Sequence, residues 1–347
     1  MNLRAPFAWL LGAVIGCSLP GPGVPGPVAP VTASDGRYAM GTVLEITLVG
    51  LDESDLRTTL DDLFGRVSRL DGLMTRVDSD SALSRLNRNA GRGRLAVDPE
   101  LAEILRLATA YSRLTRGSFD VTIGPLVALW TEAAARDAPP AAADLEAARR
   151  RVGSRHLRIG DDDGVELTRT GVSIDLGGIA KGYALDRMLP LLRARGIGAA
   201  LLNFGQSSTW AVGAPPDGSG WRLLVRGPSD DFLGVIRLRD LALSVSGSLG
   251  QWVEIGGRRY GHVLDPRTGW PLTRRRQALV VAPSAALAEA LSKALLILGE
   301  EGGVALVAAQ PGCEGLLADA DGGLWMTPGW AETVAFEAWE PGGKRTP

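Results

Sequence analysis

Residues 172–186 read V-S-I-D-L-G-G-I-A-K-G-Y-A-L-D and predict a short β-strand, a tight turn and the start of a helix. β-Branched residues open the segment, and the apolar residues beyond Gly177 and Gly178 follow helical spacing. Free backbone amides in the first turn of a helix attract anions, and Lys181 adds a positive charge there. The segment is either an ordinary strand-to-helix connection or an anion site, because it matches neither of the two common phosphate-binding glycine motifs.

Lysine is scarce in this chain, which carries most of its positive charge on arginine. The lysines are Lys181, Lys293 and Lys344, and the first two lie in strongly patterned segments. Lysine and arginine together number 37 against 39 acidic residues, so the formal net charge is -2. Because no overall basic field would attract a phosphate backbone, we expect no nucleic-acid partner.

The first residues predict that the protein is exported. Residues 5–16 form an apolar run that is too short to span a bilayer and is typical of a signal peptide. Residues 14–17, V-I-G-C, are similar to a bacterial lipobox, which would make Cys17 the lipidated N-terminus; the alternative is a plain signal peptide with an incidental cysteine. We expect a lipoprotein signal peptide at 1–16, a Pro/Gly-rich linker at 17–36, and lipid anchoring at the periplasmic face of a bacterial membrane.

The rest of the chain mixes strand-like and helix-like periodicity and predicts an α+β fold with 45% hydrophobic residues to build its core. We expect a single large domain of mixed sheets with packed helices at residues 37–335 and a flexible tail at 336–347. The predicted helices span residues 56–73, 99–114, 131–152 (two short helices around a break), 180–195 (with a kink or restart at Pro190) and 284–298. The predicted strands span residues 42–49, 199–203, 221–225, 234–238, 241–245, 252–255, 278–281, 304–309 and 314–318.

One of these helices carries residues that could hold a cation. Glu289, Ser292 and Lys293 follow the i, i+3, i+4 spacing and therefore share a helical face. A carboxylate and a hydroxyl presented together can ligate a hard cation such as Mg²⁺. The alternative is a solvated Glu-to-Lys pair, which stabilises the helix by a few tenths of a kcal/mol.

Two other segments combine polar and aromatic groups in a way that could form a site. His262 is followed by Asp265 and Arg267, which makes a site more plausible than for an isolated, hydrogen-bonded structural histidine. Phe119 and Asp120 form either a strand edge with an exposed aromatic ring or a flat stacking surface beside a carboxylate.

Taken in order, the motifs of this chain resemble those of the ApbE family of FAD:protein FMN transferases over about residues 38–330. The shared motifs are M-G-T at 40–42, S-x-L-S-R-L-N at 81–87, G-x-F-D-x-T-x-G-P-L at 117–126, D-L-G-G-I-A-K-G-Y-x-x-D at 175–186, L-L-N-F-G at 201–205, S-G at 246–247, H-x-x-D-P-x-T-G-x-P at 262–271 and A-E-A-L-S-K-A-L at 288–295. The resemblance implies a T-fold-like domain and a Mg²⁺-dependent enzyme. Such an enzyme cleaves the pyrophosphate of FAD, attaches FMN by a phosphoester bond to a Thr or Ser of an exported target protein, and releases AMP.

The resemblance also implies roles for individual residues. The residues that would bind FAD are Met40, Ser118, Phe119, Asp120, Asp175, Lys181 and His262. Among these, His262 and Lys181 would act in catalysis. The positions that would hold Mg²⁺ are Gly178 (through its carbonyl), Glu289, Ser292 and Lys293.

Several positions depart from the family pattern, and two of them fall near the implied metal. Most relatives have Asp at the position of Glu289 and Thr at the position of Lys293, and an ammonium group cannot ligate a cation. Lys293 then either swings away or replaces part of the metal's charge on the pyrophosphate. The usual N-x-G-G-D reads N-F-G-Q-S at 203–207, while Val77 and Ala82 replace a Tyr and a Glu. The sequence therefore leaves two alternatives to transfer: a non-catalytic FAD-binding lipoprotein, and an FAD pyrophosphatase that releases FMN and AMP.

Overall fold

A computed structural model describes residues 29–229 and 232–338 of the chain. The predicted signal peptide, Cys17 and residues 339–347 of the predicted tail lie outside the described residues. The helices are α1 (Glu53–Met74), α2 (Ala82–Arg88), α3 (Pro99–Leu114), α4 (Gly124–Ala135), α5 (Ala142–Arg149), α6 (Ala180–Ala194), α7 (Ala285–Ala308) and α8 (Trp330–Thr333).

The strands follow in the same chain order. They are β1 (Val31–Ala39), β2 (Thr42–Gly50), β3 (Leu95–Ala96), β4 (Leu157–Ile159), β5 (Gly164–Leu167), β6 (Ala199–Phe204), β7 (Ser208–Val212), β8 (Trp221–Arg226), β9 (Phe232–Leu238), β10 (Leu241–Gly247), β11 (Trp252–Ile255), β12 (Arg258–Gly261), β13 (Arg276–Ala282), β14 (Glu314–Asp319), β15 (Leu324–Met326) and β16 (Ala335–Ala338).

An eight-stranded sheet forms the centre of the molecule, in the order β1-β2-β6-β7-β10-β13-β14-β15. The helices α1, α6 and α7 pack against its strands and bury a large apolar cluster. A second cluster joins the sheet to the smaller sheet β16-β9-β8 through residues such as Ala211, Ile236 and Leu279. Helices and small sheets thus cover the central sheet, and the α+β class predicted from the sequence is confirmed.

The helix boundaries follow from local capping chemistry. Asp98 accepts a hydrogen bond from the Glu100 amide, and Pro99 occupies the first helical position of α3, where no amide donor is needed. Ser284 caps α7 by accepting from the Leu287 amide at 3.2 Å. These signals are readable in the sequence, which explains why α3 has the same bounds as the predicted helix.

Asp186 joins α6 to α7 and to the sheet, and so fixes the helices that border the site. Its carboxylate accepts from the Ser284 hydroxyl at 2.8 Å and from the first two amides of α7 at 2.8 and 3.0 Å. Trp210 of β7 donates its indole N–H to the same carboxylate at 2.8 Å. The helices approach closely because Gly182 has no side chain: a Cβ atom there would lie 2.5 Å from the Ala285 carbonyl oxygen.

Several details differ from the sequence-based predictions. The strand predicted at 304–309 is wrong: residues 304–308 are helical and belong to the second part of α7, which follows a break at Gly299, where φ is 75° and ψ is -159°. Gly303 packs this second part closely against Leu295 of the first part, and this packing outweighs the β-propensity of Val304 and Val307. The helix α6 also runs unbroken through Pro190, which lies on its exposed face. The predicted strand at 172–174 is reduced to one bridge between Ser173 and Ile123.

The sheet directions and the domain limits also need correction. Each pairing between neighbouring strands of the central sheet is antiparallel, whereas mixed sheets were expected. The domain begins before residue 37, because β1 starts at Val31 and takes residues from the predicted linker. It also extends beyond residue 335, since β16 pairs with β9 as far as Ala338.

Within residues 29–229 and 232–338, no helix combines the length and the apolar character needed to cross a membrane.

Candidate functional site

The segments singled out in the sequence meet around a cavity of about 650 Å³. The β1–β2 turn, the loop before α4, the turn that begins α6, the end of β10, the segment after β12 and the face of α7 all line it. The predicted site residues that line it are Met40, Ser118, Phe119, Asp120, Asp175, Gly178, Lys181, His262, Glu289 and Lys293. Ser292 lies directly behind this lining, buried beneath the cavity wall.

The backbone amide and the side-chain carboxylate of Asp175 both hold the turn at residues 175–178 in place. The Asp175 amide donates to the Val121 carbonyl at 2.7 Å, and the Asp175 carboxylate accepts from the Gly177 amide at 2.8 Å. Arg76 adds an ion pair to the same carboxylate at 3.1 Å. This bracing positions the first turn of α6, where Lys181 faces the cavity. The positive end of a helix and an ammonium group together favour an anion.

The carboxylate of Asp120 stabilises the surrounding loops, because its hydrogen bonds are all made within the protein. Thr122 donates to it through its amide at 2.8 Å and its hydroxyl at 2.6 Å, Ser112 donates at 2.9 Å, and the Ser154 amide donates at 2.8 Å. Four donors satisfy a buried carboxylate and leave it no free direction toward a ligand. The Ser118 hydroxyl is likewise taken by the Thr115 carbonyl at 2.8 Å.

The side chain of Phe119, which lies between Ser118 and Asp120 in the chain, faces the glycine turn. Its ring carbon Cε2 lies 3.4 Å from a Cβ atom built at Gly178, so the ring borders the glycine turn. The 118–120 segment therefore offers an aromatic surface on a backbone that its polar side chains hold rigid. On the far side, Met40 occupies the β1–β2 turn with a φ of 46°, and its amide donates to the Asp71 carboxylate at 2.8 Å.

The face of α7 that borders the cavity combines a carboxylate with hydroxyl groups. Glu289 Oε1 accepts from the Ser208 hydroxyl, while Glu289 Oε2 is buried and has no hydrogen-bond partner. The Ser292 hydroxyl lies 3.0 Å from that of Ser244 and 2.8 Å from that of Ser246. The sequence reasoning missed Ser208 and Ser244, although alternation along β10 puts Ser244 on the same face as Ser246.

The unpaired Oε2 atom of Glu289 indicates that this face of α7 could bind a cation. A buried carboxylate oxygen without a partner is costly, and a hard cation that takes oxygen ligands would satisfy it. The Ser292 hydroxyl and the Gly178 carbonyl could supply two further oxygen ligands for such a cation. Within the described part of the chain, no group of three His, Cys, Asp or Glu side chains is placed to hold a metal ion.

Lys293 does not swing away from this face. Its Nζ atom donates to the Glu289 backbone carbonyl at 3.1 Å, and its Cε atom lies 3.3 Å from a Cβ atom built at Gly178. Removal from solvent lowers the pKa of Lys293 to about 8; the neighbouring Glu289 raises it, and Lys181 lowers it. The position at which the family resemblance implies a metal ligand is thus occupied by an amine.

His262 enters the cavity from the end of β12 with a defined tautomer. Its Nδ1 atom lies 3.0 Å from the Gln251 carbonyl oxygen, which can only accept, so Nδ1 carries the proton. The Nε2 atom then holds the free lone pair. Loss of solvent around the ring lowers the pKa of His262, and the nearby Lys293 and Lys181 lower it further. Asp265 and Arg267 pair with each other at 2.8 Å and shape the turn that follows, away from the cavity lining.

Comparison with known proteins gives a consistent result across most of the chain. A model of the ApbE family matches residues 40–317. The chain is 30% identical over 314 residues to an FAD:protein FMN transferase of Klebsiella pneumoniae, covering 87% of this chain and 89% of that protein. Among solved structures, it is similar to the flavin transferase ApbE of Vibrio cholerae, with a TM-score of 0.77, 26% identity, and coverage of 88% and 100%. The ApbE protein of Thermotoga maritima gives a TM-score of 0.78 with 26% identity, over 87% of this chain and 99% of that protein.

Proposed function

The chain belongs to the ApbE family, and we propose that it is an FAD:protein FMN transferase that attaches FMN to a Thr or Ser hydroxyl of an exported protein and releases AMP. The observation that carries the proposal is the convergence of three groups on one cavity. They are the turn that bears Lys181, the imidazole of His262 and the α7 face with the unpaired Glu289 oxygen. These are the groups that a phosphoryl transfer needs to bind the pyrophosphate, accept a proton and neutralise charge.

Substrate binding follows from the lining of the cavity. Phe119 and Met40 supply apolar and aromatic surface suited to a flavin or adenine ring. Lys181, at the N-terminal turn of α6, suits the pyrophosphate. Asp120 and Ser118 support this arrangement through the backbone, because their side chains are committed to internal hydrogen bonds.

His262 is suited to accept the proton of the acceptor hydroxyl. Its Nδ1–H is fixed on the Gln251 carbonyl, so Nε2 presents a lone pair, and the lowered pKa keeps the ring neutral at pH 7. As the acceptor oxygen bonds to the FMN phosphorus, the P–O bond to AMP breaks and the hydroxyl proton passes to Nε2. This assignment makes His262 the general base of the transfer.

A divalent cation, most simply Mg²⁺, would be held by Glu289 Oε2, the Ser292 hydroxyl and the Gly178 carbonyl. When bound, it would neutralise charge that develops on the phosphate oxygens. The hydroxyls of Ser244 and Ser246 orient Ser292, and that of Ser208 orients the Glu289 carboxylate.

The location of the protein is part of the proposal. The apolar N-terminal run and the V-I-G-C motif support export and lipid attachment at Cys17. A lipid anchor and a Pro/Gly-rich tether would hold the catalytic domain near the membrane surface, where it would meet exported acceptor proteins.

The test uses the full-length protein with FAD, Mg²⁺ and an exported acceptor protein that carries a Thr flavin-attachment segment. Covalent flavin on the acceptor is followed by in-gel fluorescence, and AMP by chromatography. We expect flavin on the acceptor and AMP in equal amounts, both abolished when the acceptor Thr is replaced by Ala. AMP with free FMN would instead assign a pyrophosphatase, and bound FAD without AMP would assign a non-catalytic flavin-binding protein.

A further inference from the structure

Lys293 places a second ammonium group in the cavity, beside the glycine turn. It lies one helical turn after Glu289 on α7, and its Nζ atom donates to the Glu289 backbone carbonyl at 3.1 Å. Its Cε atom lies 3.3 Å from a Cβ atom built at Gly178. The amine therefore lies where α7 meets the turn that begins α6, the place at which a bound anion would contact both elements.

This amine retains hydrogen-bonding capacity for a ligand. An ammonium group has three N–H donors, and the Glu289 carbonyl takes one of them. Across residues 29–229 and 232–338, no other hydrogen bond or ion pair reaches the amine. The Glu289 carboxylate does not pair with the amine: its Oε1 atom accepts from Ser208, and its Oε2 atom has no hydrogen-bond partner. Two donors thus stay available on a side chain that lines the cavity.

Lys181 contributes a second positive charge to the same cavity from the first turn of α6. Two ammonium groups that share a cavity repel each other, and an anion that contacts both relieves this repulsion. A pyrophosphate group, with negative charge on two adjacent phosphates, suits two cations better than a single carboxylate does. The pair of lysines is therefore matched to the pyrophosphate of a dinucleotide.

We propose that Lys293, together with Lys181, binds the pyrophosphate of FAD directly, so that binding of FAD does not depend on a divalent cation. The inference rests on the proposed function, because it takes FAD as the substrate. The lysines and the glutamate then have different roles. The two lysines bind the substrate, and the Glu289 carboxylate remains available for a cation that acts in the transfer step.

The experiment measures the Kd of the full-length protein for FAD and for ADP, in EDTA and in Mg²⁺, by isothermal titration calorimetry. ADP isolates the pyrophosphate from the flavin. We expect the wild-type Kd for both ligands to be nearly the same in EDTA and in Mg²⁺. Lys293→Met, which keeps the length of the side chain and removes its charge, should weaken binding in EDTA by about 10- to 100-fold, as expected for the loss of a charge-assisted hydrogen bond.

Two further variants separate charge from shape. Lys293→Arg should retain metal-independent binding because it keeps the positive charge. Lys293→Thr should bind FAD poorly in EDTA and recover in Mg²⁺, since it removes the amine and supplies an oxygen that can ligate the cation. Thermal unfolding midpoints check that each variant is folded.

The outcomes distinguish the inference from the proposed function. Wild-type protein that transfers FMN but loses FAD in EDTA would overturn the inference and leave the proposed function intact. Lys293→Met that binds FAD in EDTA as tightly as wild type would overturn it as well. Wild-type protein that binds FAD in neither condition would overturn both.

Discussion

The hydrogen bond between His262 Nδ1 and the Gln251 carbonyl determines which nitrogen of the ring can act as a base. Replacement of His262 by Gln removes that base while keeping a polar side chain of similar size. We expect His262→Gln to lower kcat for FMN transfer by about 10²- to 10⁴-fold, with little change in FAD affinity. The control is His156→Gln, since His156 lies outside the cavity lining. Equal losses in both variants would contradict the assignment.

The pH dependence of transfer follows from the same residue. Burial and the two nearby lysines lower the pKa of His262 below its usual 6.5. The ring is then neutral above that lowered value, so kcat should stay level near pH 7 and fall as the pH drops through it. A profile of kcat against pH measures this acidic limb. An acidic limb centred above pH 6.5 would show that another group controls the reaction.

Glu289 gives a prediction that does not depend on turnover. Its Oε2 atom is buried without a partner, and conversion of the carboxylate to an amide removes the charge that attracts a cation. We expect Glu289→Gln to weaken binding of Mn²⁺, used as a probe for Mg²⁺, by about 10-fold or more in the presence of FAD. Electron paramagnetic resonance of free Mn²⁺ measures the loss. Glu301→Gln, at an exposed position on the same helix, should bind Mn²⁺ like wild type.

The sequence is informative about some site residues and misleading about others. Lys181, His262 and Glu289 lie in distinctive motifs, and the structure brings all three to one cavity. Asp120 also lies in such a motif, but its carboxylate is consumed by the backbone and hydroxyl donors around it. Whether a polar side chain faces the cavity or its own loop depends on three-dimensional packing, which motif letters do not encode. Ser208 could not be found, because its partner on α7 is remote in sequence.

At the scale of elements, Asp186 is the point where α6 and α7 depend on each other. Its carboxylate accepts from the Ser284 hydroxyl and from two amides at the start of α7, groups that otherwise lack partners. We expect Asp186→Ala to lower the free energy of unfolding by about 2–4 kcal/mol, since it leaves buried donors unsatisfied. Urea denaturation measures the loss. Asp217→Ala, in an exposed turn, should change stability by less than about 1 kcal/mol, and an equal effect there would refute the argument.

The elements that sequence reasoning predicts well are those with local causes. The helix α3 begins at its own Asp98 and Pro99, and the predicted helix has the same bounds. The predicted start of α1 at residue 56 is three residues late, although Asp52, whose carboxylate accepts from the Asp55 amide, provides the same kind of local signal. The strand wrongly predicted at 304–309 shows the opposite case. Its β-prone residues lie in the second part of α7, after the break at Gly299, where Gly303 lets this part pack against Leu295 of the first part, and this packing overrides the local preference.

At the scale of the whole molecule, the class of fold was predictable but the arrangement of the sheet was not. Periodicity identifies most strands one at a time, yet the order of the central sheet places β13 between β10 and β14, and β2 beside β6. Such neighbours are selected by which apolar faces fit together, a property of pairs of segments. The edge of the sheet is the hardest part to predict, because β1 begins directly after the last proline of a proline-rich run, and its residues 31–36 fall within the predicted linker.

The edge strand β1 should contribute measurably to the stability of the protein. Residues 31–36 of β1 pair with β2 from Gly50 to Glu45, so a protein shortened to begin at residue 37 keeps only the last part of the edge strand. We expect it to unfold with about 2–4 kcal/mol less stability than a protein that begins at residue 29, because it loses ladder hydrogen bonds and exposes the side chains that Ala33 covers. The uncovered β2 would also offer free backbone groups to a second copy, so size-exclusion chromatography should show concentration-dependent self-association. Equal unfolding midpoints for the two proteins would mean that β1 contributes nothing to stability.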